Sequence, residues 1–230
     1  MDRVRRQINI TKDLPVQNAY TLALNGEFSH LAFDEVRAPE NIGHWRERVF
    51  KVDHSVPMDL EVGTGNGLHF AHHATKHPER CLVGIELKYK PLIQSIRRAI
   101  NAGCKNAAIC RFHAFNLDQL FAKGELDNVY IHFPDPWTSP KKPKNRFVCK
   151  DNLDLLWDLQ KPGSIIDFKT DSREYFLWSL DEIKQSKYQV VYQTLNLHQS
   201  EKASENFLTA FEKIFMRQGI EINYIRLLKP

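Results

Sequence analysis

A carboxylate held between two prolines is the residue of this sequence that is best placed to do chemistry. The stretch Asp127–Trp137 reads DNVYIHFPDPW, and Asp135 follows its apolar run between Pro134 and Pro136. Proline locks φ and donates no N–H to a neighbouring strand, so the backbone is fixed on both sides of Asp135. Such a carboxylate can accept hydrogen bonds from a nucleobase or stabilise a positive charge that develops during a reaction. A plain polar turn is the alternative, and the motif alone leaves both interpretations open.

A short basic segment follows this motif. Its cationic side chains are Lys141, Lys142, Lys144 and Arg146. Cations beside the Trp137 ring and a fixed carboxylate suit a nucleobase and its phosphates. The net charge is only +4, so the clustering of basic residues, rather than their total, indicates a polyanionic partner. A solvated surface loop is the alternative.

A second candidate site is the glycine-rich turn Gly63–Gly67, which follows Glu61. Its glycines are Gly63, Gly65 and Gly67. A dinucleotide-binding G-x-G-x-x-G fingerprint would need a glycine at position 68, where this chain has Leu. The pattern E-x-G-x-G-x-G, with an acid at the end of the next strand, is instead typical of S-adenosylmethionine-dependent methyltransferases. Glu86 supplies that acid, and its carboxylate can accept hydrogen bonds from both ribose hydroxyls.

The elements around these motifs alternate between strands and helices. Strands are predicted at residues 58–62, 81–86, 106–112, 127–133, 164–169, 188–194 and 220–228. Helices are predicted at residues 41–50, 68–77, 91–102, 116–122, 146–159, 172–185 and 205–217. This alternation predicts an α/β fold with a doubly wound, mainly parallel sheet, in which ligands bind at the carboxyl ends of the strands. We predict one domain over residues 51–230, preceded by an N-terminal extension at residues 1–50.

Composition narrows the class further. Hydrophobic residues make up 42% of the chain, which is enough for a sizeable core. The four cysteines include no C-x-x-C pair and so lack metal-ligand spacing, and nothing in their arrangement indicates a disulfide framework, which favours a reducing compartment. His69, His72 and His73 lack the glutamate of a zinc-protease motif, so a solvated helix face is the simplest interpretation. No apolar run is long enough for a membrane span, and we predict a cytoplasmic protein without metal.

The order of the motifs resembles the tRNA (guanine-N7)-methyltransferase family, whose members carry FPDPW-x-K-x-R-H-x-K-R-R. The family's E-x-G-x-G-x-G begins at Glu61, and its G-I-E is Gly84–Glu86. Its T-D is Thr170-Asp171, and its late T-K-F-E corresponds to Thr209–Glu212. The resemblance covers about residues 41–228.

This resemblance implies a Rossmann-like class I enzyme that methylates N7 of a guanine in tRNA with S-adenosylmethionine, as a monomer or a homodimer. The cofactor-binding residues that it implies are Glu61, Gly63, Gly65, Gly67, Glu86, His113 and Asp135, of which Asp135 is also catalytic. The substrate-binding residues that it implies are Ser139, Lys141, Lys144, Arg146, Asp171, Thr209 and Glu212.

The chemistry of guanine N7 fits these residues. N7 carries a lone pair and no proton, so no general base is needed to expose the nucleophile. Alignment with the sulfonium methyl can therefore supply most of the catalysis, on the order of 7–11 kcal/mol in well-oriented systems. Methylation places positive charge on the purine, and Asp135 can stabilise that charge while it accepts hydrogen bonds from guanine N1–H and N2–H₂.

The chain departs from the family pattern at several positions. His113 replaces an Asp or Asn, Ser139 a Lys, and Asn145 an Arg, and Ile214-Phe215 replaces an Arg-Gly pair. These changes remove phosphate or base contacts and leave two other hypotheses open. One is a catalytically weak RNA-binding relative that keeps the cofactor pocket, and the other is a methyltransferase for another substrate.

Overall fold

The computed structural model describes residues 5–139 and 143–230. The chain divides into two compact units, Met1–Leu126 and Asp127–Pro230, which we call the first and the second unit. Among the described residues, no helix is both long and apolar enough to cross a membrane.

The first unit contains parallel strands whose apolar residues are buried on both faces. Its strands are β1 (Ala32–Phe33), β2 (Met58–Val62), β3 (Cys81–Ile85) and β4 (Ala107–Cys110), in the spatial order β1, β4, β3, β2. All three neighbouring pairs run parallel. Every residue of β2, β3 and β4 is buried, as expected for parallel strands with continuous apolar sequences.

Helices of the first unit pack on these strands through apolar stripes. They are α1 (Ala19–Asn25), α2 (Leu68–Lys76) and α3 (Tyr89–Asn101). Leu92, Ile93, Ile96 and Ala99 of α3 recur at helical spacing and are all buried in the core. A six-residue π-helical turn at Trp45–Phe50 and 3-10 turns at Thr11–Asp13, Pro39–Asn41 and Ala114–Gln119 complete the unit.

One helix and one strand of the first unit were not predicted. Helix α1 begins after Asn18, whose side chain accepts the backbone N–H groups of Tyr20 (2.9 Å) and Thr21 (3.2 Å) in a capping box. Strand β1 has only two residues and pairs with β4, so it carries almost no periodic signal. The predicted helix at residues 41–50 is shorter than expected, and its Trp45 is buried with the indole N–H donating to the Leu120 carbonyl at 2.7 Å.

The second unit contains a mixed set of strands. They are β5 (Val129–His132), β6 (Ile165–Thr170), β7 (Gln189–Thr194) and β8 (Asn223–Leu228), in the spatial order β5, β6, β8, β7. Strands β5 and β6 are parallel, whereas β8 runs antiparallel to both β6 and β7. The predicted mainly parallel α/β fold is therefore confirmed, with β8 as the strand that runs against the others.

The helices of the second unit are α4 (Lys150–Leu159), α5 (Arg173–Lys184) and α6 (Ala210–Arg217), with 3-10 turns at Pro143–Asn145 and Leu197–Gln199. Two predicted helix starts were wrong. Helix α4 begins at Lys150 rather than at residue 146, because Cys149 at its N-terminus is still extended. Helix α6 begins at Ala210 rather than at residue 205, because the Thr209 side chain caps it.

Candidate active site

The glycine-rich turn joins β2 to α2 and wraps over the end of β3. Gly63 N–H donates to the Ile85 carbonyl at 2.8 Å, and Thr64 N–H donates to the same carbonyl at 3.2 Å. Gly65 has φ 54°, a conformation that glycine adopts without the penalty that a Cβ imposes. A Cβ built at Gly63 or Gly65 would meet no atom within 4 Å, so these two residues border open space where a ligand can approach the backbone.

At Gly67, close packing against helix α3 requires a glycine. A Cβ at this position would lie 2.3 Å from Ser95 Cα, so a side chain cannot fit between the start of α2 and helix α3. The Ser95 hydroxyl donates to the Gly65 carbonyl at 3.0 Å and lies 3.0 Å from Thr64 Oγ1. Sequence reasoning missed Ser95 as a support of the turn. The sequence did carry a signal for this role, because Ser95 is a polar residue within the apolar stripe of α3.

Glu86, which follows β3, is fixed by backbone donors. Its Oε2 accepts Gly65 N–H at 3.1 Å, and its Oε1 accepts Lys88 N–H at 2.9 Å. Burial raises the pKa of Glu86 above its ordinary value, although the same two N–H groups act in the opposite direction. Each oxygen of the ionised carboxylate can still accept a further hydrogen bond. The structure therefore brings Glu86 into direct contact with the glycine-rich turn.

Glu61 is buried on β2 and has a histidine partner. Its Oε2 lies 2.8 Å from Nδ1 of His69 on α2. One turn further along α2, His73 Nε2 lies 2.9 Å from Oδ2 of buried Asp59. The prediction that these histidines form a solvated helix face is therefore wrong for His69 and His73, because both side chains turn inward to carboxylates of β2.

His113 lies beyond the end of β4 and caps the 3-10 turn that follows. Its Nδ1 accepts Phe115 N–H at 3.2 Å, so the imidazole performs the capping that an Asp or Asn side chain performs elsewhere. Burial lowers the pKa of His113, and the Arg6 charge lowers it further. The lowered pKa favours the neutral ring, which carries its proton on Nε2 when Nδ1 is the acceptor.

Asp135 lies in the second unit on a constrained loop, Pro134–Pro136, which we call the Pro-Asp-Pro loop. At the end of β5, Phe133 N–H donates a hydrogen bond to the Lys169 carbonyl at 2.8 Å. Phe133 (φ 53°) and Trp137 (φ 45°) flank the loop in the left-handed region, which residues with a Cβ rarely occupy. Asp135 and Ser139 are exposed. Asp171 follows the neighbouring parallel strand β6, so it lies at the same strand edge as Asp135.

The basic segment divides into residues with different environments. Lys144 is exposed on the 3-10 turn Pro143–Asn145, whereas Lys141 lies outside the described residues. Arg146 is only 3% exposed. Its Nε donates to the Pro136 carbonyl at 2.8 Å, and its Nη2 donates to Glu174 Oε1 at 2.5 Å. The predicted phosphate contact of Arg146 stays untested, but its guanidinium is engaged with protein groups.

Thr209 and Glu212 form the capping box of α6. Glu212 N–H donates to Thr209 Oγ1 at 3.2 Å, and Thr209 N–H donates to Glu212 Oε2 at 3.0 Å. The Glu212 carboxylate is fully buried and also accepts from Lys169 Nζ at 3.0 Å and from Asn206 Nδ2 at 2.8 Å. Burial alone would raise the pKa of Glu212, but Lys169 and the Thr209 N–H outweigh it and hold the pKa below its ordinary value.

This arrangement makes Lys169 a residue that sequence reasoning missed. It is a buried cation on β6, and the signal was a lysine inside the apolar run IIDFKT. Both partners of the pair are buried, so Glu212 is positioned to order the start of α6. Its predicted contact with guanine remains a prediction.

Three phenylalanines pack together beside the Pro-Asp-Pro loop. The Phe133 ring lies 6.2 Å from Phe211 and 5.6 Å from Phe215. Phe211 remains 53% exposed, and Ile214 on the same helix is also exposed. Ile214 and Phe215 stand where the family pattern has Arg-Gly, so α6 carries apolar surface in place of a charge. The Phe215 ring also packs against Phe133.

Comparisons with known proteins identify the family of this chain. A family model described as "Putative methyltransferase" matches residues 55–224. A tRNA (guanine-N(7)-)-methyltransferase of Bdellovibrio bacteriovorus is 70% identical over 208 residues, which cover 90% of this chain and 100% of that protein. The enzyme of the same name from Geobacillus kaustophilus is 31% identical over 188 residues, which cover 82% of this chain and 85% of that protein.

A solved structure of a 16S rRNA (adenine(1408)-N(1))-methyltransferase from Catenulisporales acidiphilia, with the cosubstrate SAM, shares the fold. The TM-score is 0.52 at 15% identity, over 84% of this chain and 88% of that one. The fold and the glycine-rich turn with its following acid define a Rossmann-like methyltransferase. Within that class, the chain belongs to the tRNA (guanine-N7)-methyltransferase family.

Proposed function

We propose that this protein transfers the methyl group of S-adenosylmethionine to N7 of a guanine in tRNA. The observation that carries the proposal is the 70% identity, over 90% of the chain, to a tRNA (guanine-N(7)-)-methyltransferase. The residues described above are consistent with that reaction, because the chain retains both an acid beyond β3 and an exposed carboxylate beyond β5.

The first unit carries the residues that would hold the cofactor. The glycine-rich turn leaves open space at Gly63 and Gly65, and backbone N–H groups fix both oxygens of Glu86. We propose that Glu86 accepts the ribose hydroxyls and that neutral His113 bonds the adenine edge. Buried Glu61 supports the turn from β2 through its bond to His69. The cofactor, when bound, supplies an electrophilic methyl group.

The second unit carries the residues proposed to hold the guanosine. Asp135 is exposed between two prolines that restrict its backbone, so it loses little entropy when its carboxylate accepts the N1–H and N2–H₂ groups of guanine. The same negative charge stabilises the positive charge that methylation places on the ring. Because N7 is unprotonated, no residue has to remove a proton from the nucleophile.

The remaining substrate residues are proposed to act on the surrounding RNA. Lys141 and exposed Lys144 contact phosphates, and Ser139, Asp171 and Thr209 complete the wall of the guanosine site. Residues 51–230 are proposed as the methyltransferase domain, which the match of the family model to residues 55–224 supports. A cytoplasmic location and a monomeric or homodimeric state remain predictions.

The test is methyl transfer to bulk tRNA with labelled S-adenosylmethionine, followed by digestion to nucleosides and identification by mass. We expect 7-methylguanosine to be the labelled product, and we expect unmodified transcripts to accept the label. Label in any other nucleoside would contradict the proposal. Binding of tRNA and cofactor without transfer would instead support the catalytically weak relative, and transfer only to a small molecule would support a methyltransferase for another substrate.

A further inference from the structure

Arg146 is a buried cation with two directed hydrogen bonds. Its Nε donates to the Pro136 carbonyl and its Nη2 donates to Glu174 on α5. The guanidinium carbon lies 5.3 Å from the Tyr175 ring centroid and 5.0 Å from that of Trp178. Both rings are supplied by α5, so this helix provides the ionic partner and the aromatic surface that surround the guanidinium.

The Pro136 carbonyl belongs to the loop that presents Asp135. Two of the three residues of this loop are prolines and donate no backbone hydrogen bond. The flanking residues Phe133 and Trp137 both have positive φ, a conformation that persists only where surrounding contacts hold it. The bond from Arg146 is therefore a constraint on a backbone segment that cannot stabilise itself through a regular ladder.

We propose that Arg146 is a positioning residue for Asp135, and that Glu174 holds its guanidinium in the orientation that this requires. The proposal rests on the role proposed above for Asp135. A planar guanidinium presents Nε and Nη2 in a fixed geometry, so one side chain can bond the Pro136 carbonyl and the Glu174 carboxylate together. A lysine ammonium keeps the charge but lacks this fork.

A direct phosphate contact by Arg146 is the competing role. Three observations favour positioning over that role. The side chain is 4% exposed, Glu174 neutralises its charge, and the two rings of α5 lie against it. Exposed Lys144, two residues earlier, has the environment that a phosphate contact needs.

The first experiment separates the two roles with Arg146→Lys. We expect the single-turnover rate at saturating tRNA and cofactor to fall about ten- to hundredfold, the effect of misplacing a reacting group. We expect the tRNA dissociation constant and its salt dependence to stay close to wild type. A wild-type rate, or a defect confined to tRNA affinity with a shallower salt dependence, would overturn the proposal.

The second variant is Glu174→Ala, which removes a carboxylate that is 64% exposed and leaves the buried Arg146 charge without its ionic partner, so its thermal unfolding is compared with that of wild type. We expect a smaller fall in rate in the same direction, and no further fall when it is combined with Arg146→Lys. Full additivity of the two effects would overturn the proposed link. The matched control is Lys184→Gln, which breaks an exposed ion pair with Asp181 on the same helix and should leave the rate unchanged.

A double variant distinguishes failure of this proposal from failure of the proposed function. In the background Asp135→Asn, Arg146→Lys should cost little more, because the group that it positions is already lost. If Asp135→Asn alone leaves the rate unchanged while Arg146→Lys lowers it, then Asp135 is not the group being positioned. If wild type forms no 7-methylguanosine, the proposed function fails before the positioning question arises. Cofactor affinity and thermal unfolding, measured on each variant, verify that it is folded.

Discussion

The glycine-rich turn of the first unit and the Pro-Asp-Pro loop of the second unit are held in place by different kinds of contact. The turn is fixed largely by backbone groups, such as the N–H of Gly63 bonded to Ile85 and the N–H of Gly65 bonded to Glu86. The loop and the nearby start of α6 depend on charged side chains from distant parts of the chain. Arg146 reaches Glu174, and Lys169 reaches Glu212.

This difference separates two ways of building a site. A backbone-built turn offers donors whose positions vary little with the side chains that surround them. A site held by buried ionic side chains is more sensitive, because removing Glu174 or either member of the Lys169–Glu212 pair leaves a buried charge without its partner. We therefore expect substitutions of supporting residues to be most damaging in the second unit, and the following experiments examine that expectation.

The largest effect is expected for Lys169→Met. This change leaves the buried Glu212 carboxylate without its cationic partner, which costs about 3–5 kcal/mol for pairs of this kind. Urea unfolding should report that loss. The variant that also carries Glu212→Gln should recover part of the stability, because no unpaired charge then remains. Equal stability of wild type and Lys169→Met would show that the pair does not hold α6.

Asp135→Asn is expected to have the next largest effect. The amide keeps the size of the side chain but removes the charge and places a donor opposite the donors of guanine. The single-turnover methylation rate should fall about a hundredfold, comparable to the loss of one preorganised electrostatic contact. The fold should persist because the residue is exposed. A variant that binds cofactor and tRNA and still methylates at the wild-type rate would remove Asp135 from the mechanism.

Glu86→Ala examines the first unit in the same way. It removes the proposed acceptor of the ribose hydroxyls, so calorimetry should show cofactor binding weaker by about 1.5–3 kcal/mol, the scale of hydrogen bonds to a charged group. Affinity for tRNA should hardly change. Unchanged cofactor affinity would show that the ribose is bound elsewhere.

The pH dependence of cofactor affinity sharpens the assignment of Glu86. Its pKa is raised by burial, and the proposed hydrogen bonds from the ribose hydroxyls need the ionised carboxylate. Affinity should therefore be full above this raised pKa and should fall as the pH drops through it, starting at a less acidic pH than for an ordinary glutamate with pKa 4.5. Glu86→Gln should abolish this part of the pH dependence. A variant whose cofactor affinity varies with pH as in wild type would contradict the assignment of Glu86.

The smallest effect is expected for the basic segment. Replacing Lys141 and Lys144 by alanine should reduce the slope of log affinity for tRNA against log salt by roughly 0.7–0.9 for each lost phosphate contact. Lys184→Ala, at an exposed site on α5, serves as the control for loss of a surface charge. A slope that both sets of variants share with wild type would mean that the segment is only a solvated loop.

The same contrast explains which features could be predicted from the sequence. Strand β2 was predicted with its observed limits, and the acid at Glu86 was matched to the glycine-rich turn, because a short local pattern encodes both. The start of α6 was placed five residues early, although the capping-box pattern T-x-x-E at Thr209 and Glu212 was present and local. Helix α1 was missed for a similar reason, since its Asn18 cap precedes a segment of weak periodicity.

Other features were beyond sequence reasoning for a physical reason. Arg146 is 28 positions from Glu174, and Lys169 is 43 positions from Glu212. Nothing in the spacing of a basic segment tells which of its cations turns inward, because that depends on which chain segments the fold brings together. The prediction grouped Arg146 with Lys144, whereas the structure places one inside and the other at the surface.

The strand order of the second unit has a consequence for synthesis of the protein. Strand β8 is the last of the described strands in the chain, yet it lies between β6 and β7. While the ribosome makes the chain, β6 and β7 therefore emerge before the strand that joins them. Until Asn223–Leu228 has been made, their unpaired backbone groups can join strands of other molecules. We expect nascent chains that stop before residue 223 to need chaperones, and the second unit to form only after Asn223–Leu228 has emerged.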